Sequence, residues 1–150
     1  MKQRATVTMA DDEIGAFLAR ARKVQIATIN PDGTPHLVTM FFGLDAGRIA
    51  FWTYRASRKA RNLARDPRLT CLVEDGEDYF ELRGVQVSGV VTPIDDLPGV
   101  TGVGRLIAER IPDVPPDALD AYVAHAARKR TAYVVDPVRV ASWDHRKLPT

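Results

Sequence analysis

Phe51-Trp52-Thr53-Tyr54-Arg55-Ala56-Ser57-Arg58-Lys59-Ala60-Arg61-Asn62-Leu63-Ala64-Arg65-Asp66-Pro67 runs a strand end, a short loop and a helix start together in one stretch. Ser57 is a natural helix cap, and Asp66-Pro67 ends the helix because proline disfavours helical backbone in the residue before it. An anion at this helix opening would meet free backbone N–H groups, the positive end of the helix dipole, the Ser57 hydroxyl and the cations of Arg58 and Lys59. Positive charge is concentrated here: Arg55, Arg58, Lys59, Arg61, Arg65 and Arg68 stand against a lone Asp66. On residues alone, the same run also reads as a solvated basic helix face.

Upstream of this stretch the pattern is one of strands. Residues 48–53 form a strand after the turn Asp45-Ala46-Gly47, and 35–44 form another after Asn30-Pro31-Asp32-Gly33. The alternating, β-branched run 24–29 is a third, and a meander of the three is the expected arrangement. Ahead of them, Asp11-Asp12-Glu13 opens a helix carrying Ile14, Phe17, Leu18 and Ala21 at helical spacing and ending in bases, as the helix dipole favours; it is expected to pack as a lid on the sheet.

Downstream, 69–74 is a strand. After the polar turn 74–78, the stretch 79–92 reads as one long strand in which Gly84 and Gly89 mark bulges or bends. Residues 93–129 are helical, broken at 112–116, and strands at 130–135 and 138–143 flank Asp136-Pro137. Short strands with a few inserted helices describe a small closed β-barrel in a single domain, 1–150.

The composition, 45% hydrophobic and 27% charged, is that of an ordinary globular protein. The lone Cys71, within an apolar run, excludes an internal disulfide and reads as a buried, inert thiol. The first residues carry no signal-peptide core, and no apolar run approaches the roughly 18 residues of a membrane helix, so a cytoplasmic location without membrane partners is expected. A formal net charge of +2 argues against nucleic acid as a partner. His125 and His145 are isolated from other ligand-type residues, no metal site is expected, and Glu74-Asp75-Gly76-Glu77-Asp78 reads as a solvated turn.

The stretch 51–73 resembles the segment of pyridoxamine-phosphate oxidases in which a strand ends in Thr-Asn, Ser-Arg-Lys opens a helix, and Asp/Asn-Pro-Arg leads into the next strand. Asp32-Gly33-Thr34-Pro35-His36, Val87-Ser88-Gly89 and Ser142-Trp143-Asp144 extend the likeness more loosely. The resemblance implies a mainly β fold with α elements: a six- to seven-stranded antiparallel split β-barrel with peripheral helices. It also implies a homodimer with cofactors in grooves between subunits. Arg58 and Lys59 would bind the cofactor phosphate, Ser57 and Thr53 would be hydroxyl partners, and Trp52 and Tyr54 would sit near the groove. Trp143 would reach the cofactor ring from the other subunit or, alternatively, serve as a core aromatic.

Where the oxidases carry an Arg and a Lys on the second strand, this chain has Leu37 and Phe42. The long-strand amide falls at Gly84, and His145-Arg146-Lys147-Leu148-Pro149 does not match the C-terminal Arg-Leu-x-Pro. The sequence is closer to a related branch that keeps the Ser/Arg-x-Lys helix, has an apolar second strand and commonly binds the deazaflavin coenzyme F420. Backbone groups of Val38, Thr39, Met40 and Phe41 would then line the ring, and Arg55 and Arg61 would face the anionic tail.

The implied activity is hydride transfer between reduced F420 and a small conjugated organic substrate, with FMN as the alternative cofactor. A non-catalytic carrier of a cofactor, haem or lipid is the reading from a different class. The cofactor carries such chemistry, so no acid–base residue is required; His36 is the nearby candidate for proton delivery.

Overall fold

In a computed structural model, residues 2–112 and 115–150 are described. Two helices, α1 (Lys2–Val7) and α2 (Asp11–Arg20), lead into strands β1 (Lys23–Ile29), β2 (Pro35–Phe41), β3 (Gly43–Asp45) and β4 (Arg48–Tyr54). Helix α3 (Arg58–Arg65) is followed by β5 (Arg68–Asp75), a 3-10 turn at Tyr79–Glu81 and β6 (Arg83–Ile94). Helices α4 (Leu97–Ala108) and α5 (Pro116–Ala127) precede the last strand, β7 (Arg130–Asp144).

One antiparallel sheet orders the seven strands β2-β1-β5-β6-β7-β4-β3. Its two edge strands, β2 and β3, are separated in the chain by Phe42 alone. The sheet must therefore curl until its edges meet, which makes it a barrel.

That topology corrects the expected meander. The run 35–44 breaks at Phe42, so β2 pairs with β1 while β3 pairs with β4 at the far end of the sheet. Phe42 is fully buried, and the bend around it sends one stretch of chain to both edges.

The long-strand expectation is also shortened: residues 79–81 form a 3-10 turn, and β6 starts at Arg83 opposite Asp75. The two strands expected after the helices are one strand of 15 residues. Its irregularity lies opposite Ser88 and Gly89, where Val138 is the extra residue between Pro137 and Arg139.

Strand β4 is buried on both faces, and its alternation explains why. Ile49 and Phe51 point into the barrel core with Val24, Ile26, Cys71 and Tyr133, whereas Ala50 and Trp52 face a second core built with α4 and α5. Strand β7 divides the same way, Tyr133 and Val135 inward and Ala132 and Val134 outward. Helix α2 covers the barrel core with Phe17 and Leu18, as a lid would. It is stopped at Arg20, and the remaining bases fall at its end and on β1. Burial drives the Cys71 thiol pKa up to about 12, so it stays protonated. Among the described residues no helix is long and apolar enough to cross a membrane.

Candidate functional site

Helix α3 is set on the barrel by its own buried polar residue. Asn62, 1% exposed, donates from Nδ2 to Thr28 Oγ1 and to Asn30 Oδ1, each at 3.1 Å. One turn later Arg65 donates to the Ile29 carbonyl. Ser57 caps the helix, its Oγ accepting from the Ala60 N–H at 3.2 Å, and Thr53 Oγ1 donates to the same oxygen at 3.2 Å. Thr53 thus spends its proton on the cap, whereas Ser57 Oγ only accepts there, so the open donors at the helix start are the Ser57 O–H and the N–H groups of Arg58 and Lys59.

A cleft of about 370 Å³ opens beside this helix start. One wall is Thr39, Met40 and Phe41 of β2, the floor is Trp52, Thr53 and Tyr54 of β4, and Lys59 reaches in from α3. The opposite wall is Gly104, Ile107 and Ala108 of α4 with Ile111, joined by Tyr122 of α5 and Arg130 of β7.

Lys59 is partly buried, and that burial pulls its ammonium pKa below the ordinary value. Among the described residues it has no carboxylate partner, nor does the cleft lining include an Asp or Glu. A partly desolvated cation beside open N–H groups is electrostatically suited to a phosphate.

Seven of the residues expected to bind cofactor therefore share one cleft: Thr39, Met40, Phe41, Trp52, Thr53, Tyr54 and Lys59. Ser57 stands behind it as the cap, and Arg58 is exposed at the helix start. Val38 lies half-buried on β2 without lining the cleft. His36 is paired with Thr28 across β1 and β2, also outside the lining, with its Nδ1 enclosed and unpartnered.

Trp143 lines a different groove, of about 750 Å³, with Arg4, Met9, Gln86 and Arg139, so within one protomer it does not meet Lys59. Its indole is seated by Gly84, whose added Cβ would lie 2.2 Å from the ring. Arg55, outside the cleft lining, donates to the carbonyls of Arg128 and Arg130 at 2.6 and 3.3 Å, which ties the end of β4 to β7. Arg61 is exposed on α3.

Two cleft features were not legible in the sequence. Gly104 lets α4 approach the floor, since a Cβ there would lie 2.2 Å from the Trp52 ring. Arg130 places its guanidinium carbon 4.9 Å from the Trp52 ring centroid and 4.2 Å from that of Tyr54, while Nη1 donates to the Ala126 carbonyl at 2.9 Å. The only local signal for Arg130 is that it opens the strand after a helical insertion; the pairing Tyr54↔Arg130 is what brings it to the site.

No group of three or more His, Cys, Asp or Glu residues is gathered as a metal site among the described residues. His145 Nδ1 lies 2.7 Å from the Tyr79 carbonyl oxygen.

The curled seven-stranded antiparallel sheet with its peripheral helices defines a split-barrel protein. Residues 10–144 match the family model described as pyridoxamine 5'-phosphate oxidase, and the chain belongs to that family.

The pyridoxine/pyridoxamine 5'-phosphate oxidase of Rhodopseudomonas palustris (strain BisB18) is 36% identical over 73 residues, covering 47% of this chain and 32% of the relative. The match thus spans about a third of that relative's length. Among solved structures, the conserved hypothetical protein Rv2991 of Mycobacterium tuberculosis superimposes with a TM-score of 0.91 at 39% identity, covering 100% of this chain and 95% of the other. A protein titled F420 reductase gives a TM-score of 0.63 at 26% identity, covering 84% and 94%. The haem storage protein HutZ of Vibrio cholerae, at 16% identity and a TM-score of 0.69 with 88% and 94% covered, shares the fold.

Proposed function

We propose that this chain is an F420-dependent oxidoreductase that passes hydride between the reduced deazaflavin and a small conjugated organic substrate. The observation that carries the reading is the cleft itself: a partly buried, unpaired Lys59 at the α3 opening faces an apolar β2 wall. Phe42, standing where the oxidases keep a Lys, is fully buried in the barrel core, and Leu37, in the place of their Arg, is 65% exposed. Both observations support a phosphate held from the α3 side, by Lys59, Arg58 and their backbone N–H groups, as the resemblance to the deazaflavin branch implies. The likeness to the F420 reductase structure supports the same choice.

When bound, the cofactor supplies the hydride-carrying ring, and the chain's residues orient it. Lys59 and the α3 opening anchor the phosphate, the Thr39 to Phe41 backbone lines the ring, and the Ile107 and Ile111 side keeps water away from it. FMN on the same anchor is the second reading, favoured by membership in the oxidase family.

The protein is proposed to act as a homodimer. Val138, 78% exposed, and Val90, 39% exposed, line an apolar groove on the outer sheet face, with Val140, 46% exposed, on the same strand as Val138. A second copy would cover that face and could bring its Trp143 to the cofactor. Light scattering at micromolar concentration should give twice the chain mass, and a monomer would defeat this part of the reading.

Titrating the purified protein with F420 and with FMN while following cofactor fluorescence tests the main reading. Micromolar binding of F420 with weaker FMN is expected. Tighter FMN binding selects the second reading, and F420 binding without turnover across a set of conjugated acceptors selects a carrier.

A further inference from the structure

We propose that Arg130 is a specificity residue that reads a carboxylate on the substrate, so that the acceptor is a small conjugated acid. The proposal rests on the reading of Lys59 as the anchor of the cofactor phosphate, and it concerns the other end of the cleft.

Among the described residues Lys59 and Arg130 are the two cations of the lining, and they sit in different surroundings. Lys59 belongs to a helix opening with free N–H groups, which suits a tetrahedral anion. Arg130 opens β7 among aromatic and aliphatic surfaces. Its guanidinium is held against Trp52 and Tyr54 at 4.9 and 4.2 Å from their ring centroids. Nη1 donates to Ala126 O at 2.9 Å, and among the described residues no carboxylate pairs with it.

A planar guanidinium immobilised in this way, with one donor used and the others left over, is matched to a flat carboxylate that accepts two hydrogen bonds. Structural roles alone, capping α5 and packing on two rings, require a long cation but not one lacking an acid partner. The neighbouring surface of Ile107, Ile111, Met40 and the half-exposed Phe41 and Tyr122 ring is apolar and suits a conjugated body. The whole cleft measures about 370 Å³ and is open to solvent, so this end has room for a small acid beside what the Lys59 end holds.

The chain has two tryptophans, Trp52 and Trp143, so Trp143→Phe leaves Trp52 as the reporter beside Arg130. In that background and without cofactor, trans-cinnamate and its neutral isostere trans-cinnamamide are titrated while Trp52 emission is followed. Cinnamate should give a saturable change and bind on the order of 10- to 100-fold more tightly than the amide, the worth of a charge-assisted contact. Arg130→Gln should abolish that preference and Arg130→Lys should keep part of it.

Equal affinity for acid and amide, an unchanged preference in Arg130→Gln, or no saturable response to cinnamate would each overturn the proposal. If Arg130→Gln does not fold, the acid–amide ratio in the parent and in Arg130→Lys decides. F420 is titrated separately into the protein with Trp143 intact: no F420 binding there with the acid preference present sinks the cofactor reading alone, and the reverse result sinks only the role of Arg130.

Discussion

The two sides of the cleft are built on different principles. The α3 side is assembled from residues 53–59, neighbours in the chain, whose geometry follows from a strand end, a capped turn and a helix start. The α4, α5 and β7 side is assembled from Gly104, Ile107, Tyr122 and Arg130, which meet Trp52 and Tyr54 only because β7 pairs with β4 and the helices pack on the outer face of both. The first side carries the Lys59 cation and the open N–H groups of a helix start, and the second carries shape together with the guanidinium of Arg130 held on two rings. Local structure can place a phosphate; a pocket for the rest of a ligand needs long-range packing.

Substitutions on the two sides should therefore separate binding from folding. Lys59→Ala is expected to weaken F420 binding by about 1.5 to 3 kcal/mol, the loss of a charge-assisted contact, and isothermal calorimetry checks it. Its melting temperature should not fall, because a partly desolvated amine without an anion contributes nothing favourable to the apo fold. Arg58→Ala, at an exposed position, should cost less. A Lys59→Ala protein that melts early with unchanged affinity would erase the distinction between the sides.

Asn62→Leu removes the amide that seats α3 and leaves the buried Thr28 hydroxyl short of a donor, at a cost of about 1 to 2 kcal/mol in urea unfolding. It should weaken cofactor binding as well, since the anchor moves with the helix.

Gly104→Ala would gain up to about 1 kcal/mol in helix propensity. The Cβ, however, meets the Trp52 ring at 2.2 Å, and overpacking of that kind costs about 1 to 3 kcal/mol, so a net loss near 1 kcal/mol is expected. Trp52 emission should shift with it while inorganic phosphate affinity at Lys59 stays the same. A stabilised variant with unchanged emission would mean that α4 yields freely and the far wall is soft.

The smallest effect belongs to the chain ends. The Arg146 guanidinium, 2.7 Å from the buried Asp144, holds that carboxyl below the ordinary carboxylate value. A lowered folded-state pKa means the contribution is complete above the ordinary value of about 4 and is lost as pH falls through the lowered one. Asp144→Asn should cost under about 1 kcal/mol at neutral pH and flatten the acid limb of stability measured by urea melts from pH 5 to about pH 2. An unchanged acid limb would assign that loss to other carboxylates, such as Asp66, which Arg68 holds down at about 2.

The strands, the turns and α3 were legible because each depends on neighbours in sequence: alternation for β1 and β5, Gly33 and Gly47 in positive-φ turns, Ser57 as a cap. The errors share a cause. Treating 35–44 as one strand of a meander missed Phe42, whose burial bends the chain between the two sheet edges, and pairing partners are not written in local pattern. The contacts that hold the Arg55 guanidinium, the carbonyls of Arg128 and Arg130, lie some 70 residues away along the chain and are equally invisible in the local pattern.

By itself the sequence determined the class of barrel and the cationic helix opening at one end of the cleft, since Ser57, Arg58 and Lys59 bring donors and charges together within one turn. Tertiary structure alone decided which of those groups line the cleft. It set the Ser57 oxygen as acceptor in the cap and Lys59 in the cleft, tied Arg55 to the carbonyls of Arg128 and Arg130 and brought in Arg130. Those outcomes depend on strand pairing and helix packing, in which burial and backbone hydrogen bonds over long sequence separations override the character of any single residue.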